Sequence, residues 1–244
     1  MKRQFLTLLL VAFSLQAAHA QWWTGSKKVN GNGDLTTETR SVGSYDQVAL
    51  EGNMDVQLVA GSEGNLSIQA ESNLMEYILT EVSGGRLKIS VERGINLNPS
   101  RNRGIKVIVP FESLDGVSLT GSGDLYTSDR IRARDFEIRL TGSGDMLLEL
   151  ESGYVDAKLT GSGDISLKGK AENFSCTVTG SGDFDAYDLE AETADARVLG
   201  SGDIQLHASR ELKASVSGSG DIRYRGNPER EDFKTHGSGS VSKS

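Results

Sequence analysis

The stretch Thr120–Asp124, which reads TGSGD, recurs along the second half of the chain and decides the fold. It returns unchanged at Thr141–Asp145, Thr160–Asp164 and Thr179–Asp183, and three altered copies follow. The first glycines of the seven copies are Gly121, Gly142, Gly161, Gly180, Gly200, Gly218 and Gly237. Successive copies are therefore 18 to 21 residues apart, which is typical of a protein built from stacked structural repeats.

The residues between the copies alternate between apolar and polar side chains, as in VDAKL at Val155–Leu159. Alternation of period two predicts strands with one buried face. Strands that return in the same register every repeat predict an all-β fold, a parallel β-solenoid with neighbouring rungs about 4.8 Å apart. We expect two short strands and two turns in each rung. One turn is GSGD, and the other is a loop such as Lys168–Asn173 or His207–Leu212.

The glycines of the GSGD motif are predicted to be structural, because glycine adopts positive φ angles and leaves room for a tight turn. Twelve glycines are assigned to such corners: Gly121, Gly123, Gly142, Gly144, Gly161, Gly163, Gly180, Gly182, Gly200, Gly202, Gly218 and Gly220. The serine between each pair of glycines is expected to bridge to the next rung.

The aspartates that end the motifs would form a column along the solenoid. They are Asp124, Asp145, Asp164, Asp183, Asp203 and Asp221. Backbone N–H groups can satisfy such carboxylates at a structural corner. Two alternatives stay open: the column binds Ca²⁺, as oxygen-rich sites do, or the rows of serine and aspartate recognise a partner at the surface.

One inward column is predicted to be small, with Ala157, Cys176, Ala196 and Ala214 between larger apolar neighbours. Cys176 is the one cysteine of the chain, so no internal disulfide is possible, and we expect a buried, unreactive thiol. A solvated face is predicted for the charged residues of the run Asp129–Asp135, which are Asp129, Arg130, Arg132, Arg134 and Asp135.

The chain divides into four predicted parts: a signal peptide at 1–20, an N-terminal segment or cap at 21–44, an irregular β part at 45–112 and regular rungs at 113–244. The first part has a basic start, a short apolar run and AHA at its end, which is the pattern of a cleaved secretory signal. In the second part, Trp22 and Trp23 either plug the open end of the solenoid or stack on a sugar or partner. In the third part, four segments alternate as strands: Met54–Ala60, Leu66–Ala70, Arg86–Glu92 and Ile105–Pro110. GSEGN at Gly61–Asn65 and SGG at Ser83–Gly85 resemble hairpin turns, and one helical turn is expected with Ser72 or Asn73 as its cap.

Charge and residue types restrict the function. The net charge is −8, and loss of Lys2 and Arg3 with the signal peptide makes it −10, which argues against nucleic-acid binding. No transmembrane segment is expected after signal cleavage. Apart from His19 in the predicted signal peptide, the chain has two histidines, His207 and His236, and no nucleophile is paired with either of them in the sequence. We therefore expect no catalytic residues and no enzymatic activity. No cofactor is expected apart from the possible Ca²⁺.

The ordered motifs resemble a known family. They are YDQVALEGNMDVQLVAG at Tyr45–Gly61, LMEYILTEVSGGRLKISV at Leu74–Val91, IKVIVP at Ile105–Pro110, the serial GSGD copies, and DIRYRGNP at Asp221–Pro228 followed by GSGS. The succession is similar to the head GIN domain family, described as heads of autotransporter adhesins in exported Bacteroidetes-type proteins. The resemblance spans residues 45–240 and implies a right-handed β-helix.

From this resemblance we expect an exported scaffold or adhesin-like binding protein in the periplasm, on the outer surface or outside the cell. Its partner would be a glycan or a surface protein. A polysaccharide-binding or polysaccharide-degrading β-helix and a calcium-stabilised repeat protein are the alternatives.

Overall fold

The computed structural model describes residues 26–101 and 103–244. The predicted signal peptide and the tryptophans Trp22 and Trp23 lie outside the described residues. Strands dominate the described part of the chain, and its one helical element is a 3₁₀ turn at Met75–Tyr77. That turn confirms the expected helical turn, but the predicted cap is wrong: the N-cap is Leu74, which makes no side-chain capping bond, rather than Ser72 or Asn73.

The strands of the N-terminal half are β1 (Lys27–Asn30), β2 (Leu35–Ser41), β3 (Gln47–Gly52), β4 (Asp55–Ala60), β5 (Asn65–Glu71), β6 (Ile78–Ser83), β7 (Arg86–Val91), β8 (Ile95–Asn98) and β9 (Lys106–Phe111). Those of the C-terminal half are β10 (Gly116–Gly121), β11 (Leu125–Thr127), β12 (Ile131–Gly142), β13 (Met146–Gly161), β14 (Ile165–Gly180), β15 (Phe184–Gly200), β16 (Ile204–Gly218), β17 (Ile222–Arg225), β18 (Arg230–Gly237) and β19 (Val241–Lys243).

The C-terminal strands stack in parallel, each on the strand one repeat earlier. The register places Gly142 beside Gly161, Gly161 beside Gly180 and Gly180 beside Gly200. Equivalent residues of successive GSGD copies are therefore direct neighbours, and the repeat along the chain is the repeat of the stack. The all-β solenoid prediction is confirmed.

The core of the solenoid is a thin apolar layer between the two flanks of each rung. The predicted small column Ala157, Cys176, Ala196 and Ala214 is buried, with each residue at most 3% exposed. Larger side chains fill the space beside it, and the rings of Phe174 and Phe184 lie 5.8 Å apart between centroids. Small residues opposite large ones fill a thin interior without voids, so Cys176 is the buried thiol that the pattern predicted.

The second turn of each rung differs from the prediction. The segments Lys168–Asn173 and His207–Leu212, expected to be loops, lie inside the strands β14 and β16. Parallel pairing with the neighbouring rung continues through the bend, from Glu149 beside Lys168 to Tyr154 beside Asn173. The neighbouring rungs supply hydrogen bonds to the backbone throughout this bend. The bend therefore keeps the strand conformation, which an isolated turn would not. We call it the opposite corner.

The solenoid extends into the N-terminal half. β3 pairs with β10 and β4 with β11, so GNMD at Gly52–Asp55 stacks directly on the first GSGD copy. β7 and β9 add a further parallel layer on β3 and β4. The four predicted N-terminal strands are confirmed, and SGG forms the β6–β7 hairpin turn. The part boundaries given in the sequence analysis stay predictions.

One predicted hairpin is wrong. GSEGN joins β4 to β5, but β9 lies between them, parallel to β4 and antiparallel to β5. Turn residues show where the chain reverses and do not show which strand becomes the neighbour.

The N-terminal end of the stack is covered by antiparallel strands, with β2 on β5 and β6 on β7. Glu71, which is 1% exposed, ties this cover together. Its carboxylate accepts the N–H of Gly33, and it accepts the N–H and hydroxyl of Ser100 at 2.8 and 2.6 Å. The bonds from Ser100 lower the pKa of Glu71, because donors to the charged form favour it.

Candidate functional site

The GSGD corner is held by backbone bonds between rungs. The carbonyl of Gly121 accepts the N–H groups of Ser143 at 2.9 Å and Gly144 at 3.2 Å. The same pair of bonds recurs at each later copy. The corner is thus a repeated structural turn, in which each rung provides the acceptor for the next.

The aspartates continue this pattern with their side chains. The N–H of Asp145 donates to Oδ1 of Asp124 at 3.2 Å, and the N–H of Asp164 donates to Oδ1 of Asp145 at 3.0 Å. The ladder begins at Asp55 and ends at Ser240, whose N–H and hydroxyl both donate to Asp221. We call this series the aspartate ladder. Each carboxylate oxygen that accepts such a bond holds the next rung in register.

Both glycines of a copy are required sterically. At Gly142, where φ is +134°, a Cβ would lie 2.1 Å from the carbonyl oxygen of Gly121. At Gly144 it would lie 2.0 Å from the carbonyl oxygen of Gly123. The serines behave differently from the prediction of a bridge. Among the described motif serines, only Ser240, which replaces the aspartate of the last copy, has a side-chain hydrogen bond to another rung.

Charge along the aspartate ladder varies from end to end. At the C-terminal end, the hydroxyl and N–H of Ser240 lower the pKa of Asp221, and Arg223 adds to the effect. Arg223 also contacts Asp203 at 3.2 Å. At the N-terminal end, burial raises the pKa of Asp55. Within residues 26–101 and 103–244, no three His, Cys, Asp or Glu side chains converge as a metal site, and whether Ca²⁺ binds stays an open prediction.

A groove of about 870 Å³ runs along the opposite corner and crosses five rungs. We call it the corner groove. Its floor consists of small residues that stack in register, Ala133, Ser152, Ala171 and Ala191. One wall is the stacked column Arg132, Glu151, Lys170, Glu190 and His207. The other wall includes Arg134, Glu172, Glu192 and Ser209.

The first wall of the corner groove alternates in charge from rung to rung. Arg132 lies 3.5 Å from Glu151, and Lys170 lies 3.4 Å from Glu190. Three cations and four carboxylates line the groove in total, so its net charge is close to zero while its density of donors and acceptors is high. The Nδ1 atom of His207 is buried and has no hydrogen-bond partner among the described residues.

A second depression of about 480 Å³ shares Arg134 with the corner groove and is also lined by Tyr154, Asp135 and Asp156. The Tyr154 ring is 42% exposed. A flat exposed ring beside carboxylates and a guanidinium offers both a stacking surface and polar partners. The run Asp129–Asp135, predicted as a solvated face, therefore contributes Arg132, Arg134 and Asp135 to the rims of two concave surfaces.

No catalytic arrangement is assembled around the two histidines in the described part of the chain. His207 lies in the corner groove, whereas His236 lies exposed on β18. The Cys176 thiol is buried, and burial raises its pKa, which keeps it in the unreactive neutral form. The described residues include no helix long and apolar enough to cross a membrane.

The fold and this site define the chain as a parallel β-solenoid with a polar lateral groove. The chain belongs to the family described as "Putative auto-transporter adhesin, head GIN domain", which matches residues 44–228. The resemblance stated from the sequence is confirmed.

Several solved structures have the same fold. A "putative adhesin" from Bacteroides fragilis has a TM-score of 0.84 at 22% identity, covering 88% of this chain and 100% of that one. A "putative lipid binding protein" from Parabacteroides distasonis has a TM-score of 0.72 at 27% identity, covering 89% and 100%. A "putative adhesin" from Parabacteroides merdae has a TM-score of 0.70 at 21% identity, covering 90% and 100%. No curated protein matches the chain.

Proposed function

We propose that the protein is an exported, non-enzymatic, adhesin-like surface protein that holds its ligand in the corner groove. The observation that carries the proposal is the groove itself, which crosses five rungs on a rigid scaffold. Extended concave surfaces of this kind are the binding surfaces of repeat proteins. The adhesin family supports the surface role, and the basic and apolar start of the sequence supports export.

The chemistry of the groove favours an extended, neutral, hydroxyl-rich ligand such as an oligosaccharide. Five rungs at about 4.8 Å spacing span about 19 Å, which suits a chain of several sugar rings. The paired charges offer donors and acceptors to hydroxyl groups without attracting a polyanion. Tyr154 adds an exposed ring at the neighbouring depression.

A lipid ligand is less suitable. The word "lipid" in the name of the Parabacteroides distasonis structure concerns that protein, and here the walls of the groove are charged along most of their length. An acyl chain placed against them would remove these charged groups from water and offer them no hydrogen bond in return, which is unfavourable.

The binding proposal is tested with the secreted chain on a glycan array, followed by calorimetry with the best ligand. Glu151→Gln in the corner groove should weaken binding by about tenfold, through the loss of a hydrogen bond to a charged group. Tyr154→Ala should weaken binding through the loss of the exposed ring at the neighbouring depression. Arg197→Ala is the matched control, because Arg197 forms a similar exposed ion pair with Asp195 away from the groove. Weaker binding by the control, or unchanged binding by Glu151→Gln, would place the ligand elsewhere.

Export and the absence of catalysis are tested separately. Mass spectrometry of the protein from its host should find a mature N-terminus at Gln21, and an uncleaved chain would contradict export. Incubation with the bound oligosaccharide should leave it intact. Turnover that stops with a single Glu→Gln change in the groove would make the protein a polysaccharide-degrading enzyme instead.

A further inference from the structure

The C-terminal end of the stack is built differently from its N-terminal end. Among the described residues, β16 is the strand that pairs with β18, and it covers one edge of β18 only. All eight residues of β18 are exposed. In earlier rungs the first glycine of each copy accepts two N–H groups from the next rung, and at Gly237 the described chain supplies no such donors.

The direction of the backbone N–H and carbonyl groups in β18 follows from the backbone hydrogen bonds between earlier rungs. In β12 the N–H of Glu137 points back to Asp115, and the carbonyl of Gly142 points forward to Ser162. Because backbone groups alternate in direction along a strand, the N–H and carbonyl groups of every second residue point to the next rung. In β18, which keeps the same register, those forward-facing residues are Glu231, Phe233 and Thr235.

We propose that a second copy of this chain pairs antiparallel with β18 about a twofold axis at Phe233. In this register Phe233 lies opposite the partner's Phe233, and the two residues exchange both backbone hydrogen bonds. Asp232 then lies opposite the partner's Lys234, and Lys234 opposite the partner's Asp232. A twofold interface of this kind is isologous, so each favourable pair occurs twice.

The charges of β18 are complementary to themselves in this register. Asp232 and Lys234 occupy positions without direct backbone bonds between the strands, where facing side chains lie closest together. Within one chain their charged groups are 3.6 Å apart, and the second copy completes a cluster of four alternating charges. Opposite charges directly across an antiparallel pair are stabilising, and like charges are destabilising.

The inward-facing side chains of β18 also favour contact with a second copy. Phe233 is 37% exposed, and its ring lies 5.7 Å from that of Tyr224. A second Phe233 would bury the exposed part of this ring and continue the aromatic contact. Glu231, which accepts a bond from the Tyr224 hydroxyl at 2.8 Å, would lie opposite the partner's Thr235, whose hydroxyl is a further donor.

The pairing goes beyond the proposed ligand role, since it depends on β18 and on none of the groove residues. It would place two corner grooves in one particle, and two linked sites bind a surface carrying many ligands more tightly than one site does.

The test is sedimentation velocity of the full secreted chain over a range of concentrations. The unaltered chain should dimerise, and Asp232→Lys and Lys234→Asp should each be monomeric. An equimolar mixture of these two variants should form a heterodimer, because the lysine introduced in one variant then faces the aspartate introduced in the other. Arg197→Asp, a charge reversal at the equivalent position of β15, should dimerise like the unaltered chain.

A second measurement covers the case in which a charge variant folds poorly. Facing residues that exchange backbone bonds have Cα atoms about 5.5 Å apart, within the range of a disulfide. Phe233→Cys should therefore form a covalent dimer on oxidation, whereas Ser217→Cys, on the surface of an inner rung, should not. A monomeric unaltered chain, or a dimer that survives both single charge reversals, would overturn the proposal.

Discussion

The backbone N–H of Asp164 donates to Oδ1 of Asp145 at 3.0 Å, and this bond repeats from Asp55 to Ser240. One side-chain oxygen per rung therefore holds the next rung at its corner. Removing the oxygen in Asp145→Ala should lower the free energy of unfolding by about 1–2 kcal/mol, the value of a hydrogen bond to a charged acceptor near the surface. Asp145→Asn keeps an acceptor and should lose less. Urea titration measures both, and equal losses would mean that the negative charge matters rather than the bond.

The second glycine of a corner should tolerate no side chain. In Gly144→Ala the new Cβ would lie 2.0 Å from the carbonyl oxygen of Gly123, and the two backbones must separate. We expect a loss of about 3 kcal/mol or more, seen as a fall in thermal midpoint. Gly43→Ala is the control, because its Cβ would approach Val82 no closer than 3.8 Å. A normal midpoint for Gly144→Ala would contradict the steric role of the corner.

Acid should loosen the N-terminal cover through Glu71. The pKa of Glu71 is lowered in the folded chain, mainly by the Ser100 hydroxyl. A lowered folded pKa gives stability that is complete above the unfolded pKa and is lost as the pH falls through the folded pKa. Ser100→Ala should therefore shift the midpoint of acid unfolding to higher pH. Near neutral pH, the free energy of unfolding should vary little with pH in either chain. Unfolding followed from pH 7 to pH 2 checks this, and coincident curves for both chains would refute it.

Chelation should leave the protein equally stable. Each aspartate of the ladder already uses one oxygen for a backbone N–H, and Ca²⁺ needs six to eight oxygens. We therefore expect the same thermal midpoint with EDTA and with millimolar Ca²⁺. A rise of several degrees with Ca²⁺, absent in Asp164→Asn, would revive the calcium-stabilised alternative.

The Cys176 thiol should resist labelling in the folded protein. It is 1% exposed, and a thiol with a raised pKa forms little of the reactive thiolate. Reaction with a chromogenic disulfide reagent should be slow without denaturant and fast in urea. Fast native labelling would show that the inner column opens readily.

The fold was predictable at positions where the local geometry allows only one type of residue. Glycine marks the GSGD corner because a Cβ has no room there, and the alternation around Ala157 marks the buried face. The opposite corner carries no such mark: Arg134, Gly153 and Glu172, at equivalent positions of successive rungs, are three different residue types, and continuous pairing between rungs keeps the bend in strand conformation. The turn residues of one rung do not show the hydrogen bonds that this rung receives from the rungs beside it.

The corner groove was missed for a related reason. Arg132, Glu151 and Lys170 read as ordinary surface charges along the chain, and only the register makes them one wall. The available signal was the alternation of sign at the repeat spacing, which becomes visible once the bend is aligned. The aspartate ladder was closer to the prediction, since backbone N–H groups at a structural corner were the expected partners of these carboxylates.

Because each corner bonds only to the rungs directly before and after it, a rung can be added or removed anywhere along the aspartate ladder without redesigning the rest. Duplication or loss of a single repeat would then lengthen or shorten the molecule by about 4.8 Å and extend or trim the corner groove by the same step. The length of such a protein, and of its groove, can thus change by whole rungs through changes in the number of repeats.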